Sequence, residues 1–170
     1  GVDTILGPEM KSTGEVMGIG KTFGEAFIKS QLAAGVNFAD SGKVFISVKD
    51  ADKDFLKGLG KILIDEGFDL IATRGTAAKL VENGLSVVKV NKVKEGRPHV
   101  VDMIKNGEIV MIINTVDQNP TSIQDSYSIR RSALQGGIAY YTTIAGARAA
   151  CTGLQKMRQL ECYDLQGLNC

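Results

Sequence analysis

The chain has 170 residues, 44% of them hydrophobic, enough for one sizeable core, so one domain with an appendage is expected. Twenty basic residues against 19 acidic ones leave a net charge of +1, spread along the chain. No basic tract offers counterion-release binding to nucleic acid, and no apolar run approaches the roughly twenty residues of a membrane helix. Neither nucleic acid nor membrane is expected as a partner, and any anion must be met by a local site. The three cysteines, Cys151, Cys162 and Cys170, are odd in number and lack a C-x-x-C pair, which predicts reduced thiols of an intracellular protein and no metal or disulfide role.

The chain opens Gly1-Val2-Asp3-Thr4 without an initiator methionine, so a piece of a longer protein is expected. Residues 5–20 hold four glycines and a proline, with Glu9, Lys11 and Glu15 interleaved, which suits a loop passing near something charged. From Thr22 a helical pattern places Phe23, Phe27 and Ile28 on one side, and Gly35 stops it. A helix with no partner in the first forty residues suggests the tail of a preceding domain, with the boundary near residue 40.

After the break at Asp40-Ser41-Gly42, apolar runs and helical spacings alternate. Strands are predicted at 44–48, 70–73, 86–90, 109–114 and 138–141, and helices at 52–66, 76–83, 98–106, 122–135 and 144–159. Gly67 and Gly107 end two of the helices. Strands and helices in this alternation imply an α/β fold, a doubly wound five-stranded parallel sheet with helices on both faces.

Ligands of such folds sit beyond the carboxyl ends of the strands, where strand order reverses. Those ends carry Ser47 with Lys49 and Lys53, then Thr73 to Thr76, Asn91 and Lys92, Asn114 and Thr115, and finally Thr142 and Thr143. A rim of hydroxyls, amides and two lysines can hold a phosphate while amides and carbonyls read a sugar or a base. At 69–80 a buried strand runs through a small-residue turn into a helix, with Thr73 and Thr76 flanking Gly75. That junction reads either as a phosphate cradle or as a helix that Thr76 merely caps.

Catalytic constellations are poor, and no catalytic residue is expected. His99 reads as a capping or surface residue, Asp117 as a turn former, and Arg130-Arg131 as a structural ion-pair site.

Residues 6–18 resemble the closing segment of the second ATP-grasp unit in the carbamoyl-phosphate synthase large subunit. Beyond them, to about Gln159, the chain resembles that subunit's C-terminal regulatory domain, of methylglyoxal-synthase-like fold. The likeness is carried by Ser47-Val48-Lys49 with Asp52-Lys53, Ala72 to Ala77, Val90-Asn91-Lys92-Val93, Glu95 to His99, Ile112 to Thr115 and Ser128 to Ala133. It implies residues 1–40 as the tail of the preceding unit plus a linker helix, 41–160 as an allosteric domain, and 161–170 as a tail. The resemblance further implies the bacterial-type, glutamine-hydrolysing enzymes of pyrimidine and arginine biosynthesis, inhibited by UMP bound at such a domain, which would also bind IMP and couple to an ornithine site.

The family's phosphate-side residues match Lys53, Thr73 and Thr76, and its further nucleotide contacts match Lys92 and Asn114, beside which the rim adds Thr115. Thr142 or Thr143 matches the link towards ornithine. Val116 stands where the family often has a threonine, and Asp117-Gln118-Asn119-Pro120 replaces a glycine- and arginine-containing loop, so the choice between UMP and IMP stays open. The resemblance implies no cofactor in this stretch, although the whole enzyme would use ATP with Mg or Mn. Its partners would be the rest of the large subunit, the glutamine amidotransferase small subunit and a further copy in a homo-oligomer, in the cytoplasm. The glycine-rich aspartate loop of true methylglyoxal synthases is missing, which implies a sensor without chemistry of its own. A lyase or purine cyclohydrolase of the same fold recruiting Asp117 or His99, and a purely structural oligomerisation module, remain alternatives.

Overall fold

A computed structural model describes residues 16–91, 95–96, 99–117, 119–157, 160 and 162. Lys92, Arg97-Pro98, Gln118, the motif up to Glu15 and the tail apart from Cys162 lie outside the described residues.

The elements run α1 (Phe23–Ala33), β1 (Gly42–Ser47), a 3-10 turn (Asp50–Phe55), α2 (Leu56–Asp65), β2 (Phe68–Ala72), α3 (Arg74–Glu82), β3 (Val88–Lys89), α4 (Val100–Lys105), β4 (Ile109–Asn114), α5 (Pro120–Gln135), β5 (Ala139–Tyr141) and α6 (Ile144–Met157). The five strands form one parallel sheet in the order β3-β2-β1-β4-β5. β1 is central, and it pairs Ile46 with Ala72 of β2 and Ser47 with Asn114 of β4.

Alternation along the strands divides the core in two. Val44 and Ile46 face α2, α3 and α6 together with Leu59, Leu80 and Ala150, while Phe45 faces α4 and α5 with Val100, Ile104 and Ile129. Helices therefore cover both faces, as a parallel sheet requires.

Three local departures from the predicted elements have physical causes. The expected helix at 52–66 starts as a 3-10 turn, whose three-residue period puts Phe55 out of phase with the buried Leu56, Leu59 and Leu63, and Phe55 is 47% exposed. The expected strand at 86–90 shrinks to Val88–Lys89, an edge strand with only β2 beside it, and Val88 is exposed. The expected helix start at Thr76 moves to Arg74, because Thr73 takes the extended N-cap position with φ −65° and ψ 155°.

The first helix forms where its periodicity placed it, and its partner is α6. Thr22 caps it by accepting the Glu25 N–H at 3.3 Å, and Ile28 is fully buried in the core. The two helices cross at a glycine pair so close that a Cβ on Gly153 would lie 2.6 Å from the Gly24 carbonyl oxygen and 2.7 Å from an Ile28 side-chain carbon. Asn37 then bridges Ile138 in parallel, so the connection to β1 runs beside the start of β5.

Gly153→Ala should therefore lower stability by about 1–3 kcal/mol, since a backbone carbonyl cannot step aside. Gly58→Ala, where a Cβ meets nothing within 4 Å, should raise it by about 0.5–1 kcal/mol. Denaturant midpoints with unchanged slopes check both.

On the same side of the sheet, Cys151 is buried, and that burial, with the Glu66 carboxylate adding to it, pushes its thiol up to about 12. Above its ordinary pKa the unfolded chain binds fewer protons than the folded one, so stability should be full below about pH 9 and fall as pH rises towards 12. Melting temperature followed across this range should decline less steeply in Cys151→Ala.

Candidate functional site

Strand order reverses between β1 and β4, and the connections leaving their ends part to opposite faces. A cavity of about 280 Å³ opens there. Its walls come from the end of β1 and the 3-10 turn, the β2–α3 junction, the start of α4, the end of β4, and the first three turns of α5.

The junction is tied together by hydroxyls. Beyond Ser47 the backbone of β1 has left the sheet ladder, and two of its N–H groups are taken up by threonine side chains. Val48 N–H donates to Thr76 Oγ1 at 3.1 Å, and Lys49 N–H donates to Thr115 Oγ1 at 3.1 Å. Thr73 makes no side-chain cap and instead donates to Ser47 Oγ at 3.2 Å. Thr73, Thr76 and Thr115 are all buried. The capping reading of Thr76 thus gives way: Thr73 holds the N-cap position, and Thr76 clamps β1 from inside the first helical turn.

The electrostatics centre on Gly75. The N–H groups of Arg74, Gly75 and Thr76 precede the first α3 hydrogen bond, from Ala77 N–H to the Thr73 carbonyl at 2.8 Å. A Cβ on Gly75 would stand 3.3 Å from Lys53 Nζ, so the ammonium lies over the amino end of the helix. A cation there has the wrong sign for the helix dipole. Lys53 is held by Asp50 at 2.8 Å, and the same contact keeps the Asp50 carboxyl below the usual carboxylate range. Asp50 is 95% exposed, however, and an ion pair so open to water is weak. An anion between Lys53 and the helix end would satisfy both charges at once.

Of the predicted residues, Lys53, Thr73, Thr76, Asn114 and Thr115 all line this one cavity, joined by Ser47 and Lys49. Thr142 and Thr143 do not; both are exposed, and Thr143 Oγ1 accepts the Gly146 N–H at 3.1 Å at the start of α6. Asp117 lines the rim, with its Oδ1 accepting the Asn119 N–H at 3.1 Å, the turn-forming role expected of it. His99 is buried as the N-cap of α4 in a capping box with Asp102 and is not among the residues lining the cavity. Arg130 and Arg131 are exposed and make no ion pair among the described residues, which corrects the expected structural pair. No cluster of three metal-ligating side chains occurs among the described residues, and no described helix is long and apolar enough to cross a membrane.

Sequence reasoning missed the contribution of α5. Ser122, Asp125, Ser126 and Ile129 line the cavity, and Asp125 is buried there. Their spacing of three, four and seven residues was the available signal, an inward stripe that is polar where a core helix would be apolar.

Fold and cavity together define a doubly wound α/β domain with a polar pocket at its switch point. The chain belongs to the MGS-like domain family, whose model matches residues 56–142. It is 55% identical over 169 residues to a carbamoyl phosphate synthase large chain of Ralstonia nicotianae and 52% identical to that of Pasteurella multocida. Over 155 residues it is 57% identical to that of Pseudomonas syringae pv. tomato. In the first two cases the match takes in 99% of this chain and 16% of the relative, so the chain spans about a sixth of their length.

The clamp on Val48 makes a prediction. Thr76→Val keeps shape but leaves the Val48 N–H without its acceptor, and should cost about 1–3 kcal/mol in stability by denaturant unfolding. Thr76→Ser, which retains the hydroxyl, should recover most of that loss.

Proposed function

We propose that this chain is the effector-binding domain of a carbamoyl phosphate synthase large chain. In this reading the cavity takes the phosphate of a nucleoside monophosphate, UMP or IMP, between Lys53, Thr73, Thr76 and the amino end of α3. Lys92, Asn114 and Thr115 contact the rest of the nucleotide. The observation that carries it is the Lys53 ammonium stationed over Gly75 at the amino end of α3, where its one ion-pair partner, Asp50, is 95% exposed and a bound anion would meet both the ammonium and the helix end. The large chains that share the sequence support the parent enzyme, an ATP-dependent, glutamine-hydrolysing ligase that would use ATP with Mg or Mn in the cytoplasm.

Regulation would arise from differential binding. A nucleotide that holds the domain more tightly in one arrangement against the rest of the large subunit shifts the enzyme to that arrangement. α1 is the route for the coupling, being both the link from the preceding unit and a helix keyed into α6. Ornithine would act at the junction through Thr142 or Thr143, and the glutamine amidotransferase small subunit would complete the enzyme. A homo-oligomer would be a further level of assembly.

Isothermal titration with UMP, IMP, ornithine and inorganic phosphate tests the reading. A nucleotide should bind more tightly than phosphate, and Lys53→Ala should weaken both by about ten- to a hundredfold, as loss of a charge-assisted bond does, with an unchanged melting curve. Affinity unchanged in that variant would reject the assignment. Incubation with dihydroxyacetone phosphate should yield no methylglyoxal, and its appearance would favour the lyase.

A further inference from the structure

At the end of β4, Asn114 is 3% exposed and bonded to two hydroxyls from different elements. Its Nδ2 donates to Ser126 Oγ of α5 at 3.1 Å and to Tyr140 OH of β5 at 2.9 Å, and those two oxygens are 3.2 Å apart. The three groups close a triangle.

Counting protons decides which way the amide lies. With Nδ2 at the corner, its two protons cover two edges, and either hydroxyl covers the third. Turned over, Oδ1 would need both hydroxyl protons, and the edge between the hydroxyls would have none. Three bonds against two favour the amide nitrogen at the corner. Both donors of Asn114 are then spent on its neighbours, and what remains for a ligand in the cavity is Oδ1, an acceptor only.

We propose that Tyr140 and Ser126 are positioning residues that lock Asn114 as a hydrogen-bond acceptor. The pocket therefore selects a ligand that presents an N–H or O–H to Asn114 and rejects one that presents only lone pairs. The inference rests on the nucleotide reading for its ligand, and the donor can be the imide N–H of a base or a ribose hydroxyl. Tyr140 suits the role because its ring packs against the core beside α4 and α5, which fixes its hydroxyl without ligand. Nothing in the spacing of residues 114, 126 and 140 announces it.

The test titrates the 170-residue chain with UMP, 3-methyl-UMP, 2′-deoxy-UMP and inorganic phosphate, in wild type, Tyr140→Phe and Ser126→Ala. Wild type should bind UMP about ten- to a hundredfold more tightly than whichever analogue lacks the needed donor, the usual penalty for an unmatched buried polar group. In Tyr140→Phe that ratio should fall severalfold, while affinity for inorganic phosphate stays within twofold. Ser126→Ala should do the same, and serves if the tyrosine variant fails to fold.

Side-chain amide NMR of the ligand-free chain provides a second readout. Both Asn114 Nδ2 protons should exchange slowly in wild type and faster in each variant. An unchanged discrimination ratio in both variants, a parallel loss of phosphate binding, or solvent-rate exchange of those protons in wild type would overturn the lock. A wild type that binds phosphate and prefers no nucleotide over it would overturn the nucleotide reading instead, and the amide exchange would still decide the lock by itself.

Discussion

The parting of β1 from its two neighbours is the constraint on which the rest of the molecule depends. β1 pairs with β2 on one side and β4 on the other, both parallel, and parallel pairs demand crossovers that pack helices against the sheet. The crossovers to either side of β1 lie on opposite faces, so a crevice at the carboxyl end is unavoidable. The crevice also leaves Val48 and Lys49, just past β1, without ladder partners. Thr76 and Thr115 answer that need from either side, and by doing so they set the shape of the pocket floor. Structural satisfaction and site geometry are here the same set of hydrogen bonds.

Charges of both signs are arranged around the crevice, with Lys49, Lys53 and Arg74 facing Asp50, Glu95, Asp117 and Asp125 in its lining. Lys53 lies at the positive end of α3 with only an exposed carboxylate for company, and among the described residues the Lys49 ammonium on the same rim has no ion-pair partner. Buried Asp125 enters from α5 on the far wall. A pocket that offers both cations and buried acceptors suits a ligand that carries an anionic group and hydrogen-bond donors. Such polarity orients a small molecule before any single contact is optimised.

The glycine crossing of α1 and α6 gives the domain a mechanical boundary condition. Two helices whose backbones touch cannot slide or roll without expelling one another, so α1 moves with the sheet. Through α6 and β5 that same body includes Tyr141, whose ring meets Phe27 of α1, and Tyr140, whose hydroxyl meets Asn114. Adjacent residues of one strand thus touch Asn114 of the pocket wall on one face of the sheet and α1 on the other.

Much of this was legible from the chain alone, for reasons that are local. Apolar runs and helical spacing located the five strands and six α-helices of the described residues, because burial on a parallel sheet imposes those periods on each segment separately. Lys53, Thr73, Thr76, Asn114 and Thr115 could be named in advance because each lies at or just past a strand end, and strand ends in this fold converge. The length of β3, the 3-10 entry to α2, the partner of α1 and the inward stripe of α5 depended instead on which elements became neighbours. The direction of the Asn114 amide belongs with them, since it is set by two hydroxyls 12 and 26 residues away along the chain. Sequence determined which residues stand at the strand ends, since position along a strand is a local property. Tertiary structure alone decided which hydrogen bonds they make there, since each bond joins groups whose distance is set by the packing of separate elements.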